Sequence, residues 1–127
     1  MSYSLVFKKG GVEILSLGAG HPLSNAFLDK PYDEFKPMPR TAFADAIHTL
    51  IRQDESLEDD TEMCVKMLEY SSNWEERWEL ITRLNNIKTN RKAIADAKVM
   101  LRMLEMIWKE GEYTDNQSNI GLEWAVL

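Results

Sequence analysis

The chain has 127 residues, 44% of them hydrophobic and 28% charged, and a formal net charge of −6. These values are typical of a folded globular domain and argue against intrinsic disorder and against direct nucleic-acid binding, which needs clustered Lys and Arg. Cys64 is the only cysteine, so an intrachain disulfide is excluded. The sequence contains no signal-peptide-like apolar run and no stretch approaching the ~20 apolar residues of a membrane span. We therefore expect a cytoplasmic protein that does not enter membranes.

Both ends of the chain predict β-strands. Residues 3–17 alternate between apolar and polar side chains around Gly10-Gly11, which predicts a β-hairpin. Residues 120–127 alternate again up to the C-terminus and predict a strand that lies beside this hairpin. The expected fold class is therefore α+β, as a single domain over residues 1–127. Its small antiparallel sheet, the N-terminal hairpin plus the C-terminal strand, would pack against three or four helices.

Residues 18–40 form a Gly/Pro-rich loop region. A glycine-rich turn at 18–25 follows the second predicted strand and can hold an anion, although its spacing fits neither a Walker A loop nor a G-x-G-x-x-G fingerprint. Prolines 31, 37 and 39 then exclude a regular helix. The alternative is that both loops only turn the chain and wrap the core. The candidate contacts for a phosphate- or nucleotide-like ligand are His21, Ser24, Asn25, Tyr32, Phe35 and Arg40.

Residues 41–110 have helical periodicity. Thr41 predicts the N-cap of a helix through about residue 53, and Ser56 with Asp59 resembles a capping box that opens a second helix through about Tyr70. The apolar residues that we expect on the inner face of this second helix are Leu57, Cys64, Met67 and Leu68.

Asn73 and Glu76 predict the start of a further helical stretch, and Gly111 is the expected residue after its end. The polar sequence at 85–90 predicts a break near Thr89 or Asn90, with one bent helix as the alternative. The apolar residues of the first half recur three or four apart, which predicts one buried face. They are Trp74, Trp78, Ile81 and Leu84, with Leu80 and Ile87 beside them.

The content of tryptophan and methionine exceeds the needs of a small core. Both residue types are enriched at protein interfaces, so self-association is the leading specific interpretation, and core filling is the alternative. The acidic charge also favours a basic protein partner. The candidate interface residues are Trp74, Trp78, Met100, Met103, Met106, Trp108 and Trp124.

Few residue patterns in the sequence suggest a metal-binding or catalytic site. Glu55, Asp59 and Glu62 would share a helix face and could bind a divalent ion, but carboxylates near a helix start more commonly face water. Asp45 and His48 are spaced like half of a metal site, and the sequence contains no second copy of that pair. No Ser-His-Asp or Cys-His set can be assembled. We therefore predict no catalytic residue, no metal site and no cofactor.

Glu75, Glu76 and Glu79 form an E-E-x-x-E motif. This fragment resembles the first half of the magnesium-binding pattern in the all-helical MazG-like nucleotide pyrophosphohydrolases, which implies a magnesium-dependent hydrolase acting through these carboxylates. In that family a later helix supplies E-x-x-D, whereas here Ala93 stands three positions before Asp96. The predicted strands also depart from an all-helical fold.

The expected function is a non-catalytic interaction protein, inhibitory or regulatory, that acts as a homo-oligomer. The first alternative is a protein that binds or sequesters a small phosphorylated or nucleotide-like molecule through the loops at 18–25 and 30–40. The second alternative is the magnesium-dependent pyrophosphohydrolase.

Overall fold

The computed structural model describes residues 3–113 and 121–127. The predicted turn at 115–119 and the first residue of the predicted last strand, Ile120, lie outside the described residues. The α+β architecture is confirmed, with a four-stranded antiparallel sheet and three helices. The strands are β1 (Ser4–Lys9), β2 (Val12–Gly18), β3 (Lys36–Pro37) and β4 (Glu123–Val126), and the helices are α1 (Pro22–Ala26), α2 (Arg40–Tyr70) and α3 (Trp74–Tyr113).

The sheet has the strand order β2-β1-β4-β3. Gly10 and Gly11 connect β1 to β2 with φ angles of 59° and 79°, a conformation that glycine adopts without steric strain because it has no Cβ. β4 pairs antiparallel with β1, setting Phe7 opposite Trp124. The predicted meeting of the two chain ends in one sheet is therefore confirmed. The edge strand β3, in the proline-rich segment, was not predicted.

The main core lies between one face of the sheet and the three helices. Alternation along β1 directs Leu5 and Phe7 into it, and Phe27, just after α1, makes edge-to-face contacts with both Phe7 and Trp124 at centroid distances of 5.7 and 5.4 Å. The helical residues of this core are Leu23, Ala26, Ala42, Phe43, Ala46, Leu50, Ile94, Ala97, Leu101 and Leu104.

The helices α2 and α3 form an antiparallel hairpin that is longer than the core requires. At ~1.5 Å per residue they are about 46 Å and about 60 Å long. Asn73 accepts a 2.9 Å hydrogen bond from the backbone N–H of Glu75, which confirms its predicted capping role. Residues 57–87 of the hairpin, here called the arm, enclose a second and smaller apolar cluster. It consists of Cys64, Leu80 and Ile87, with Leu57, Leu68 and Leu84 packed around them.

An ion pair joins the two helices at the base of the arm. Arg91 donates from Nε and Nη2 to the two carboxylate oxygens of Asp54, at 3.0 and 3.2 Å. This hydrogen bonding holds the pKa of Asp54 below its ordinary value of 3.8 and raises the pKa of Arg91. The pair therefore fixes α2 to α3 at the point where the main core gives way to the arm cluster.

Two predicted helix breaks were wrong. Residues 54–59 continue within α2, and residues 85–90 continue within α3, so Ser56 does not begin a new helix and the Asn-rich stretch does not end one. The intrinsic penalty of such residues inside a helix is only tenths of a kcal/mol each. Burial of Leu50 and Cys64, which flank the first predicted break, and of Ile87 and Ile94, which flank the second, outweighs that penalty.

Three smaller predictions about these helices were also wrong. α2 begins at Arg40 after Pro39 and has no side-chain cap, so Thr41 does not cap it. Gly111 lies inside α3, which continues to Tyr113. Met67 is exposed instead of facing inward. None of the described helices combines the length and the apolarity that a membrane span needs.

Candidate functional site

Exposed apolar residues recur along α3 on a side of the helix that faces solvent. The residues of α3 that pack against α2 and the core recur three or four apart, and so does a second set that faces solvent. At ~100° per residue the second set falls within an arc of ~100° along the whole helix. We call it the outer stripe, and all its members are exposed: Trp74, Trp78, Ile81, Asn85, Lys88, Lys92, Ala95, Val99, Met103 and Met106.

The outer stripe is apolar at both ends and polar in the middle. At its arm end Trp74 is 72% exposed and Trp78 is 65% exposed, although an indole ring strongly favours burial. At its other end Val99, Met103 and Met106 are each more than half exposed. The large exposed aromatic and methionine surface is typical of a protein interface.

A second apolar stripe lies on the arm, on α2. Met63, Met67 and Tyr70 are spaced four and three apart and are all exposed, Tyr70 by 88%. About the axis of α2, this stripe is rotated by roughly 110° from the side that faces α3. About the axis of α3, Trp74 and Trp78 are rotated from the side that faces α2 by a similar angle in the opposite sense. Because the helices are antiparallel, the two stripes point to opposite sides of the hairpin.

Charge is distributed unevenly over the hairpin. Between residues 54 and 79 there are ten acidic and two basic side chains, a net charge of −8, so the rest of the chain carries +2. Within α3 itself, residues 74–87 carry three acidic and two basic side chains, and residues 88–109 carry two acidic and six basic ones. The two ends of the outer stripe therefore differ in electrostatic character.

Three of the predicted ligand contacts surround one small cavity. Ser24, Asn25 and Tyr32 line a space of about 110 Å³ beside Lys30, whose pKa is lowered by burial. Ser24 is itself buried and donates a 2.8 Å hydrogen bond from Oγ to the carbonyl oxygen of Gly18. Its hydroxyl proton is therefore already donated to the backbone and is not available to a ligand.

The other three predicted contacts lie elsewhere. His21 caps α1, with its Nδ1 accepting a 3.1 Å hydrogen bond from the backbone N–H of Leu23. Phe35 lies under the ammonium group of Lys8, which is 4.1 Å from the ring centroid. Arg40 borders a separate groove at the start of α2. The structure therefore does not bring the six residues together into one site.

The groove beside Arg40 has a volume of about 500 Å³. Phe43 and Trp108 form part of its floor in an edge-to-face contact with a centroid distance of 6.0 Å. Trp108 also donates a 2.8 Å hydrogen bond from Nε1 to the carbonyl oxygen of Met38. The rim carries Arg40, Arg102 and Lys109, and Lys109 forms a 3.4 Å ion pair with Glu105.

The candidate chemical residues do not converge. Glu75, Glu76 and Glu79 are exposed on the first turns of α3, and Asp45 and His48 are exposed on α2. Among the described residues, no three His, Cys, Asp or Glu side chains are close enough to hold a metal ion. The carboxylates of the 54–62 segment likewise lie along α2 without enclosing a ligand.

Four of the seven candidate interface residues lie on the outer stripe, namely Trp74, Trp78, Met103 and Met106. Met100 and Trp108 pack partly against the main core, and Trp124 is only 3% exposed within it. The prediction that Trp74, Trp78 and Ile81 lie on a buried face was wrong, because all three are exposed and α2 packs against another side of α3. Sequence reasoning also did not single out Val99 or the exposed stripe on α2. Their spacing relative to the Trp and Met residues was the available signal, since all of them recur three or four apart.

The fold and the stripe together define an α+β protein with a projecting helical hairpin that exposes an interface-like surface. No protein-family model matches the chain, and no curated protein or solved structure is significantly similar to it.

Proposed function

We propose that the protein is a non-catalytic interaction protein that acts as a homo-oligomer, with the outer stripe of α3 as its binding surface. One observation carries this proposal: two indole rings, Trp74 and Trp78, are exposed by 72% and 65% on a rigid helix. Tryptophan is the residue type most enriched among binding hot spots, and a regular helix presents it with little loss of conformational entropy on binding.

The arm itself supports a binding role. It contributes little to the main core, because its own cluster is built mainly from Cys64, Leu80 and Ile87. The hairpin nevertheless extends well beyond the sheet and carries large apolar side chains on both flanks. A helix that only served stability would have polar residues at these exposed positions.

The test is sedimentation velocity of the purified protein over a wide concentration range, with the double variant Trp74→Ala/Trp78→Ala. We expect the wild type to sediment as a species heavier than the 14.7 kDa chain. Truncating a hot spot costs at least ~2 kcal/mol, so loss of both rings should weaken association by at least about 100-fold.

The matched control is Met67→Ala/Tyr70→Ala, which removes exposed apolar surface from the same end of the hairpin but from the opposite flank. This variant should associate like the wild type. A wild-type protein that stays at 14.7 kDa at every concentration, or an oligomer that both double variants leave intact, would contradict the proposal.

A further inference from the structure

We infer that the outer stripe binds the same stripe of a second copy, run antiparallel, in a two-fold dimer that sets Trp74 of one copy against Met106 of the other. This inference rests on the proposed function and adds the partner's contact surface, the direction and the register. A two-fold contact uses one surface twice, so that surface must be complementary to itself.

The order of residue types along the stripe meets this requirement. In an antiparallel pair, the numbers of facing residues add up to a constant, and setting Trp74 against Met106 makes that constant 180. The same register sets Ile81 against Val99, Asn85 against Ala95, and Lys88 against Lys92. Apolar ends therefore meet apolar ends at both extremities of the pair.

Charge favours the same direction. Residues 74–87 of α3 carry a net charge of −1, and residues 88–109, which include the other end of the outer stripe, carry +4. An antiparallel pair places each half against the opposite half, whereas a parallel pair places like against like. The register also brings Arg102 of one copy level with Trp78 of the other, where a guanidinium can lie against the indole face.

The length of the stripe is sufficient for a specific dimer. Trp74 and Met106 are about 48 Å apart along α3, and a helix offers a face ~10 Å wide. One copy therefore contributes roughly 500 Å², and the pair buries roughly 1,000 Å² in total, which meets the minimum expected of a biological interface. The apolar stripe on α2, by contrast, lies entirely on the acidic arm, so two copies of it would repel each other.

Cysteine cross-linking tests the register directly. Ile81→Cys and Val99→Cys replace exposed residues that the antiparallel register sets opposite each other, and the native Cys64 is buried and serves as an inert background. Differently tagged variants are mixed, oxidised and separated on a non-reducing gel. Helices packed at 8–10 Å between axes bring facing Cα atoms within disulfide range.

We expect the mixture to form a mixed disulfide dimer, while each single variant alone forms none. The control mixture pairs Ile81→Cys with Met63→Cys, an exposed residue on the opposite flank, and should not cross-link. Cross-linking of each variant with itself, as a parallel pair requires, would overturn the inference. So would an absence of cross-links in a protein that still sediments as a Trp-dependent oligomer, and in that case the proposed function would stand. A monomer at every concentration would refute both.

The centre of the stripe offers a second, independent test. The register brings Lys88 of each copy against Lys92 of the other, so Lys88→Glu replaces two repulsive pairs with two attractive ones. We expect this variant to dimerise about tenfold more tightly, which sedimentation measures. The control Lys66→Glu makes the same change of charge on α2 and should have no such effect. An unchanged or weakened dimer with Lys88→Glu would overturn the antiparallel register, since a parallel pair would set the two new carboxylates against each other.

Discussion

The arm should unfold separately from the rest of the protein, and Leu80→Ala tests this. Leu80 is 5% exposed in the small cluster around Cys64 and Ile87. A Leu→Ala change in a buried site costs ~2.7–5 kcal/mol, through the lost transfer free energy and the residual cavity. Three leucines at the edge of this cluster are only partly buried and can close over the space. We therefore expect a loss of about 3 kcal/mol in the opening free energy of the arm.

Hydrogen exchange followed by mass spectrometry measures this opening segment by segment. Leu80→Ala should accelerate amide exchange in the distal half of α2 and the first half of α3, and leave β1 and β4 nearly unchanged, because the arm cluster shares few residues with the main core. The matched variant Leu101→Ala, in the main core, should lower protection throughout. If Leu80→Ala lowers protection in β1 and β4 as much as in the arm, the two clusters unfold as one unit and the reasoning is refuted.

Two further predictions concern single contacts. Asp54→Asn should lower the melting temperature at neutral pH and have no effect at low pH. The pKa of Asp54 is below 3.8 in the folded state, so its contribution is present above that ordinary value and is lost as pH falls through the folded pKa; a difference in melting temperature that stays constant with pH would contradict this. Trp108→Phe should lower the free energy of unfolding in urea by about 1–3 kcal/mol, since the buried carbonyl of Met38 loses its 2.8 Å donor. Tyr70→Phe, at a side chain that is 88% exposed and lies outside the outer stripe, should change it by less than ~0.5 kcal/mol, and equal effects of the two would count against the hydrogen bond.

The candidate site shows where sequence reasoning was sufficient and where it was not. The excess of Trp and Met predicts an interface, and four of the residues that it singles out are exposed on one side of α3. The predicted ligand site used residues that are neighbours in sequence. Their side chains do not converge, because His21 and Ser24 form hydrogen bonds with backbone groups around α1. Arg40, in contrast, is the first residue of α2 and borders a separate groove.

Local patterns were sufficient for β1, β2 and β4, though not for the short edge strand β3. Gly10-Gly11 supplies the positive φ angles that the hairpin turn needs, and the alternating side-chain direction along β1 and β4 brings Leu5, Phe7 and Trp124 to the main core. These features depend on neighbours in sequence, so they can be recognised without the fold. The continuity of α2 and α3 could not be recognised in this way. The polar stretches at 54–59 and 85–90 have weak helix propensity, and only packing between the two helices keeps them helical.

The sequence by itself determined that α3 carries apolar residues at helical spacing, and its content of Trp and Met indicated an interface. It did not determine which apolar stripe is buried. Periodicity places Trp74 and Trp78 on one side of the helix and Leu80 and Ile87 on another, and both patterns satisfy the same spacing. The position of α2 decided the outcome, because only one side of α3 can face it. Leu80 and Ile87 pack against Cys64, and the two tryptophans remain exposed to a partner.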